Sequence, residues 1–299
     1  MRRFFEELEE RLRTGQVFVA THVMADGSVS QDFMDCGKYV SRMTYPVHLV
    51  LFGGGHIAQA LSSLARMCNM AVTVIDDRRE ILTRENFPHG EELIYSPFDR
   101  LPEDLFSSIA NPYCCIFTHG HGHDGECLVH CCSHQCEYIG MIGSRRKIEG
   151  CFEYARQHGI DDGTLSRVHS PIGLAINAVT PAEIAVSIMA EVISVYRSER
   201  HVVVLDPEIV RQIASSHDGI VCRILRADGS SPGKEGAMML VDGDRILGTV
   251  GGGALEAKAI EEARATTRDH IVEYRLDDTG TLGMTCGGDV TMLFSTCRA

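Results

Sequence analysis

Between residues 47 and 197 the chain alternates short apolar runs with stretches of helical spacing. Apolar runs near 47–52, 71–75, 92–95, 113–118 and 137–142 read as strands. Strands that alternate with helices predict a mostly parallel sheet covered on both faces, a Rossmann-like α/β domain. The first intervening helix carries Ala60, Leu61, Leu64, Ala65 and Cys68 on its apolar side. The last begins at Thr180-Pro181-Ala182-Glu183, a capping box with proline at the first helical position. Its stripe of Ile184, Ile188, Val192 and Val195 is core rather than a cofactor site.

The pattern changes after the apolar stretch from His201 to Leu205. Strands are expected at 220–226, 237–241 and 245–250, then a helix from Ala254 to about Thr267, then strands at 271–276 and 289–295. These make a smaller α+β module. At the other end, an amphipathic helix bearing Phe4 or Phe5, Leu8 and Leu12 precedes a weak strand from Gln16 to His22 and the turn Asp26-Gly27. The expected domains are an N-terminal extension 1–45 with no assigned role, an α/β domain 46–200, and the α+β module 201–299.

The first strand of the α/β domain runs into Gly53-Gly54-Gly55-His56-Ile57-Ala58, and the next strand ends in Asp76-Asp77. In such a Gly-x-Gly-x-x-Ala turn the first glycine permits the bend, the second lets a phosphate approach the backbone, and the small Ala58 seats the helix close to the sheet. The helix N-terminus offers free N–H groups to an anion. An acid about 20 residues further on is suited to a ribose hydroxyl. Another strand ends at Thr118-His119-Gly120-His121-Gly122-His123, on the sheet edge where ligands bind in this fold class. A third leads through Gly143-Ser144 into Arg145-Arg146-Lys147, and positive charge at a helix start calls for an anion. The loop His169-Ser170-Pro171-Ile172-Gly173 is of the sort that shapes a pocket.

In the module, Gly251-Gly252-Gly253 ahead of a helix with Glu256 in its first turn repeats the anion-binding logic, and Ser230, Ser231 and Lys234 supply donors on a loop. Cys286, set in Met284-Thr285-Cys286-Gly287-Gly288, is a candidate functional thiol. Cys127, Cys131 and His134 would share one face of a helix running from Asp124 to Cys136, with Cys132 and Cys136 a second pair. Two readings stand for this cluster: core packing, or a metal or sulfur-handling site.

The net charge of −13, from 28 Lys+Arg against 41 Asp+Glu, argues against a nucleic-acid or anionic-membrane binder. Charges interrupt the N-terminus where a signal peptide needs an apolar core, and no apolar run is long enough to span a bilayer. A cytoplasmic location is expected, with the 12 cysteines as thiols, ligands or small core residues.

The combination of Ile139-Gly140-Met141-Ile142-Gly143-Ser144-Arg145-Arg146-Lys147, Gly229-Ser230-Ser231-Pro232 and Cys286-Gly287-Gly288 resembles the XdhC/CoxI family, accessory proteins of molybdenum hydroxylases such as xanthine dehydrogenase. The resemblance implies a protein that binds the molybdenum cofactor, protects it while a cysteine desulfurase makes its terminal sulfido ligand, and delivers it to the apo-hydroxylase. Carried onto this chain, it makes Cys286, with His119 or His121, the metal-facing end. Gly53, Gly55, His56, Asp76 or Asp77, Ser144, Arg145, Ser230, Ser231, Gly252 and Gly253 then hold the rest of the cofactor. Two departures stand out. The Cys-Gly-Gly module comes last here, whereas family members usually place it first. Ala254 follows the glycine triplet where the family often has cysteine, which excludes a second thiol there. A homodimer that closes the pocket is expected. Two alternatives remain: an NAD(P)-binding oxidoreductase, and a zinc- or iron-binding regulator built on residues 127–136.

Overall fold

The computed structural model describes residues 2–13, 15–198, 202–215, 219–229, 231–276 and 288–297. The chain opens with α1 (Arg2–Arg13), β1 (Val17–Val23), β2 (Val29–Asp32) and β3 (Tyr39–Thr44). It continues through β4 (His48–Phe52), α2 (His56–Met67), β5 (Ala71–Asp76), β6 (Glu92–Tyr95), β7 (Pro112–Ile116), α3 (Asp124–Cys132), β8 (Tyr138–Met141), α4 (Arg145–Gln157), α5 (Asp162–Leu165) and α6 (Pro181–Tyr196). It ends with β9 (Val202–Val204), α7 (Pro207–Ser215), β10 (Ile220–Gly229), β11 (Met238–Asp242), β12 (Arg245–Gly248), α8 (Gly253–Ala265), β13 (His270–Arg275) and β14 (Gly288–Thr296). Two compact units result, residues 46–200 and residues 1–45 combined with 201–299.

In the 46–200 unit a five-stranded sheet runs in the order β6-β5-β4-β7-β8, every pair parallel. The chain leaves β4 toward β5 on one side and later returns to β7 on the other, so the topological switch point lies between β4 and β7. Leu49 to Phe52, Val74, Ile75 and Cys114 to Ile116 are fully buried, as the central strands of a sheet covered on both faces require. Helix α2 turns Ala58, Leu61, Ser62 and Ala65 inward and packs beside α6. The expected apolar side of α2 is only partly matched, because Cys68 caps the helix and is exposed. The capping box on Thr180 and Glu183 forms, with Pro181 at the first helical position.

The other unit holds two sheets, β2-β1-β3-β9 and β12-β11-β10-β14-β13. Strand β10 explains why it needs both. Cys222 and Ile224 face Leu255 and Ala259 of α8, while Leu225 packs with Tyr39 and Leu293 on the opposite side. Arg223 points the same way as Leu225 and donates to Thr21 Oγ1 at 2.7 Å and Gln31 Oε1 at 2.6 Å. Residues 1–45 thus cover the second face of β10, and the periodicity that predicts them as a separate extension does not see this. Strand β9 completes their sheet by pairing parallel with β3, Arg42 opposite Val202 and Thr44 opposite Val204. Among the described residues no helix is long and apolar enough to cross a membrane.

Candidate functional site

The glycine turn sits at the C-terminal end of β4, against the segment that leaves β7. Gly53 has φ 114°, and a Cβ on it would lie 2.4 Å from the Phe117 carbonyl oxygen, so only glycine fits. Its N–H donates to Ile75 O at 2.8 Å. Gly55 is different: it is exposed, has φ −68° as the N-cap of α2, and a Cβ there would meet nothing within 4 Å. Among the described residues nothing fills the space beside Gly55 at the α2 N-terminus, and His56 next to it is exposed.

Asp76 closes the turn from below. Its fully buried carboxylate accepts from Gly54 N at 2.7 Å, Arg78 N at 2.9 Å, Arg78 Nε at 2.8 Å and Arg78 Nη2 at 2.8 Å. Burial pushes the carboxyl pKa up, but these donors and the Arg78 charge outweigh it and hold the group below the ordinary carboxylate value. Both oxygens are engaged, so Asp76 braces the turn. Asp77 keeps 36% of its side chain exposed and is the acid of the pair that faces outward.

The segment after β7 forms a turn over His119–His121 that is kinked at Gly120, whose φ is 65°. Sequence reasoning missed what holds it. Buried Asp124, the first residue of α3, accepts from Thr118 N at 3.0 Å and from Thr118 Oγ1 at 2.7 Å. His119 is exposed at this edge; the side chain of His121 lies outside the described residues. At the end of β8, Ser144 is the N-cap of α4, its hydroxyl making no capping bond, and Arg145, Arg146 and Lys147 follow in the exposed first turn. The side chains of these three cations make no hydrogen bond or ion pair among the described residues. Since β4, β7 and β8 are parallel, the glycine turn, His119 and the α4 N-terminus share one edge of the sheet.

Glu191 was also missed, although an acid among the buried positions of α6 is the signal that would have found it. It accepts from Tyr138 Oη at 2.6 Å and Gly173 N at 2.8 Å, and lies 3.2 Å from His169 Nδ1. Burial and the neighbouring Cys115 and Glu191 push the Tyr138 hydroxyl pKa up, which keeps it a donor. This network fixes the 169–173 loop beside β8.

In the module, Glu256 reaches back to its own helix start. It accepts from Thr249 Oγ1, from Val250 N at 3.2 Å and from Gly252 N at 3.2 Å. An internal carboxylate therefore occupies part of the anion-binding backbone expected at Gly252 and Gly253. The Ser231 loop lies against the triplet: a Cβ on Gly251 would be 2.4 Å from Gly233 N, and Ser231 Oγ is buried without a partner among the described residues. Cys286 and Ser230 fall outside the described residues.

The cysteine cluster is not the single helical face that its spacing predicts. Helix α3 stops at Cys132, Cys127 and Cys131 enter the core, and Cys136 sits beyond the helix with its sulfur 3.5 Å from Cys114 Sγ. His134 turns its ring nitrogens to His130 O at 2.7 Å and Glu103 O at 3.3 Å. Among the described residues no group of three or more His, Cys, Asp or Glu side chains is arranged to hold a metal ion.

Comparison with known proteins covers both units. Residues 49–192 match the XdhC Rossmann domain, and residues 212–275 match the XdhC and CoxI family. The uncharacterized protein YqeB of Escherichia coli strain K12 is 27% identical over 206 residues, 64% of this chain and 38% of YqeB. A probable xanthine dehydrogenase subunit from Bacillus subtilis strain 168 is 31% identical over 158 residues, 52% of this chain and 44% of that protein. The chain thus spans less than half the length of these curated relatives. A crystal structure of a xanthine dehydrogenase from Bacillus halodurans is similar at TM-score 0.46 and 22% identity, covering 66% of this chain and 65% of that one.

Proposed function

Since this chain belongs to the XdhC/CoxI family, we propose that it is an accessory protein of a molybdenum hydroxylase of the xanthine dehydrogenase type. It holds the molybdenum cofactor, guards it while a cysteine desulfurase supplies the sulfur of its terminal sulfido ligand, and delivers it to the apo-enzyme. What supports this most is the C-terminal edge of the 46–200 sheet. A helix N-terminus left open at Gly55 and three cations unpaired among the described residues share that edge.

The donor set fits the anionic end of the cofactor. A pyranopterin carries a phosphate, or a pyrophosphate when joined to a nucleotide, and both suit backbone N–H groups backed by positive side chains. Gly53 shapes the turn, the backbone at Gly55 and His56 takes phosphate oxygens, and Ser144 and Arg145 add donors from the α4 side. Asp77 rather than Asp76 is the acid placed for a hydroxyl, because the Asp76 oxygens are already engaged. His119 and His121 supply the softer end at this edge; in the other unit Cys286 is the candidate thiol and Ser230, Ser231 and Gly253 are the candidate polar donors, the Gly252 N–H being already taken by Glu256. When bound, the molybdenum carries the oxo and sulfido ligands that the hydroxylase later uses. This chain's own part is to bind, orient and shield, as a homodimer in which the second copy closes the pocket.

The test is an Arg145→Glu, Arg146→Glu double variant co-expressed with the pterin pathway. Co-purifying cofactor should drop at least about tenfold, the weight of one charge-assisted contact, with unchanged circular dichroism. Undiminished cofactor would remove the α4 edge from the site. An NAD(P)-binding oxidoreductase would instead show saturable NAD(P) binding that the same variant abolishes.

A further inference from the structure

We propose that Cys136 and Cys114 form a peroxide-responsive thiol pair, in which Cys136 is oxidised by a hydroperoxide and Cys114 closes the disulfide. The pair belongs to the 46–200 unit and to none of the residues placed at the cofactor edge. Its geometry is set by the chain after α3. Ser133 Oγ donates to Val129 O at 2.8 Å, His134 N donates to Cys131 O at 3.3 Å, and Cys136 N donates to His134 O at 3.0 Å, a tight double turn. Glu137 N then donates to Pro112 O at 3.1 Å and lays the segment alongside β7. Cys136 is thereby held against Cys114, sulfur to sulfur at 3.5 Å.

Two asymmetries assign the roles. Cys136 is only partly buried, while Cys114 and the neighbouring Cys131 have no exposure, so an oxidant from solution meets Cys136. The thiol hydrogen bonds from Cys114 and Cys131, with His134 and His130 nearby, favour the thiolate at Cys136, while burial disfavours it at Cys114. The thiolate is the form that attacks. A thiol waiting at 3.5 Å also argues against Cys136 as a carrier of transferable sulfur, because a persulfide formed there would be attacked by Cys114 and lost.

The chemistry balances with a hydroperoxide, ROOH, as the oxidant. The Cys136 thiolate attacks one peroxide oxygen, the O–O bond breaks, RO⁻ leaves and is protonated to ROH, and Cys136 becomes a sulfenic acid. Cys114 sulfur then attacks the Cys136 sulfur, and the hydroxyl leaves as water with the Cys114 proton. Two thiols lose two protons and two electrons; the peroxide is reduced to one alcohol and one water. The new bond ties the segment after α3 to β7, the strand that leads into Thr118 and His119. A dithiol reductant restores both thiols.

The experiment uses the full chain, reduced and then given one equivalent of hydrogen peroxide, with peptide mapping after cleavage at Glu126. The expected product has lost two hydrogens, joins the peptides carrying Cys114 and Cys136, and reverts with dithiothreitol. Iodoacetamide at pH 6 should alkylate Cys136 at least about tenfold faster than the exposed Cys36 and Cys68, as a favoured thiolate requires. In Cys114→Ser, dimedone should trap the sulfenic acid at Cys136. The proposal is overturned if Cys36 or Cys68 oxidises while Cys136 stays a thiol, or if Cys136 bonds to any cysteine other than Cys114. The map of the unmodified chain decides this even if Cys114→Ser does not fold.

Discussion

Replacing Asp76 by alanine removes the acceptor that holds the glycine turn in shape. The carboxylate is fully buried and takes four donors, from Gly54 N, Arg78 N, Arg78 Nε and Arg78 Nη2, at 2.7–2.9 Å. Removing one partner of a buried ion pair costs roughly 3–5 kcal/mol, because the other is left uncompensated. Arg78 keeps 27% of its side chain exposed, so water recovers part of that cost and the low end, about 3 kcal/mol, applies. In a unit of this size each kcal/mol moves the melting temperature by about 2–4 °C, so Asp76→Ala should melt about 6–12 °C lower. The pH dependence has a definite sign. The folded carboxyl pKa is lowered, so its contribution is fully present above the unfolded value of about 3.9 and is lost as pH falls through the folded value. Urea melts of both proteins at a series of pH values measure this. The stability gap should hold down to about pH 4 and narrow below it. A gap under about 1 kcal/mol at pH 7, the size expected of an exposed pair, would refute the bracing role.

Further predictions concern the turn and the thiol. Gly53→Ala puts a Cβ 2.4 Å from the Phe117 carbonyl oxygen at φ 114°, and should cost roughly 2–4 kcal/mol in a urea melt. Gly55→Ala meets nothing within 4 Å and should stay within about 1 kcal/mol of the parent while weakening cofactor capture measured by fluorescence of the released pterin. Cys286→Ala should abolish activation of the apo-hydroxylase; full activation would remove that thiol from the account.

The parallel sheet was legible because its central strands are buried on both faces. Continuous runs such as Leu49 to Phe52 and Cys114 to Ile116 have few other uses in a chain of this composition. The glycine turn was legible for a similar reason, since Gly53 sits where a side chain would strike Phe117. Which donors each acid takes was not. Asp76 fits the pattern of a ribose-binding acid, but in the fold Gly54 and Arg78 have claimed it. Glu256 likewise reads as a helix-start acid and turns out to cap the glycine triplet. Strand β2, Val-Ser-Gln-Asp, has no apolar alternation; it exists because its backbone pairs with β1, Val23 opposite Val29. Its Gln31 also meets Arg223. The end of α3 at Cys132 was hidden because nothing in Ser133-His134-Gln135-Cys136 forbids a further helical turn, and the competing bond from Glu137 N to Pro112 O decides it.

The cofactor itself is the most direct arbiter. Protein co-expressed with molybdopterin synthesis should be purified natively, denatured, and its small molecules identified by mass spectrometry. A pyranopterin, free or nucleotide-coupled, at close to one per chain is the predicted result. NAD(P) in its place, or no pterin from a folded protein, would contradict the account.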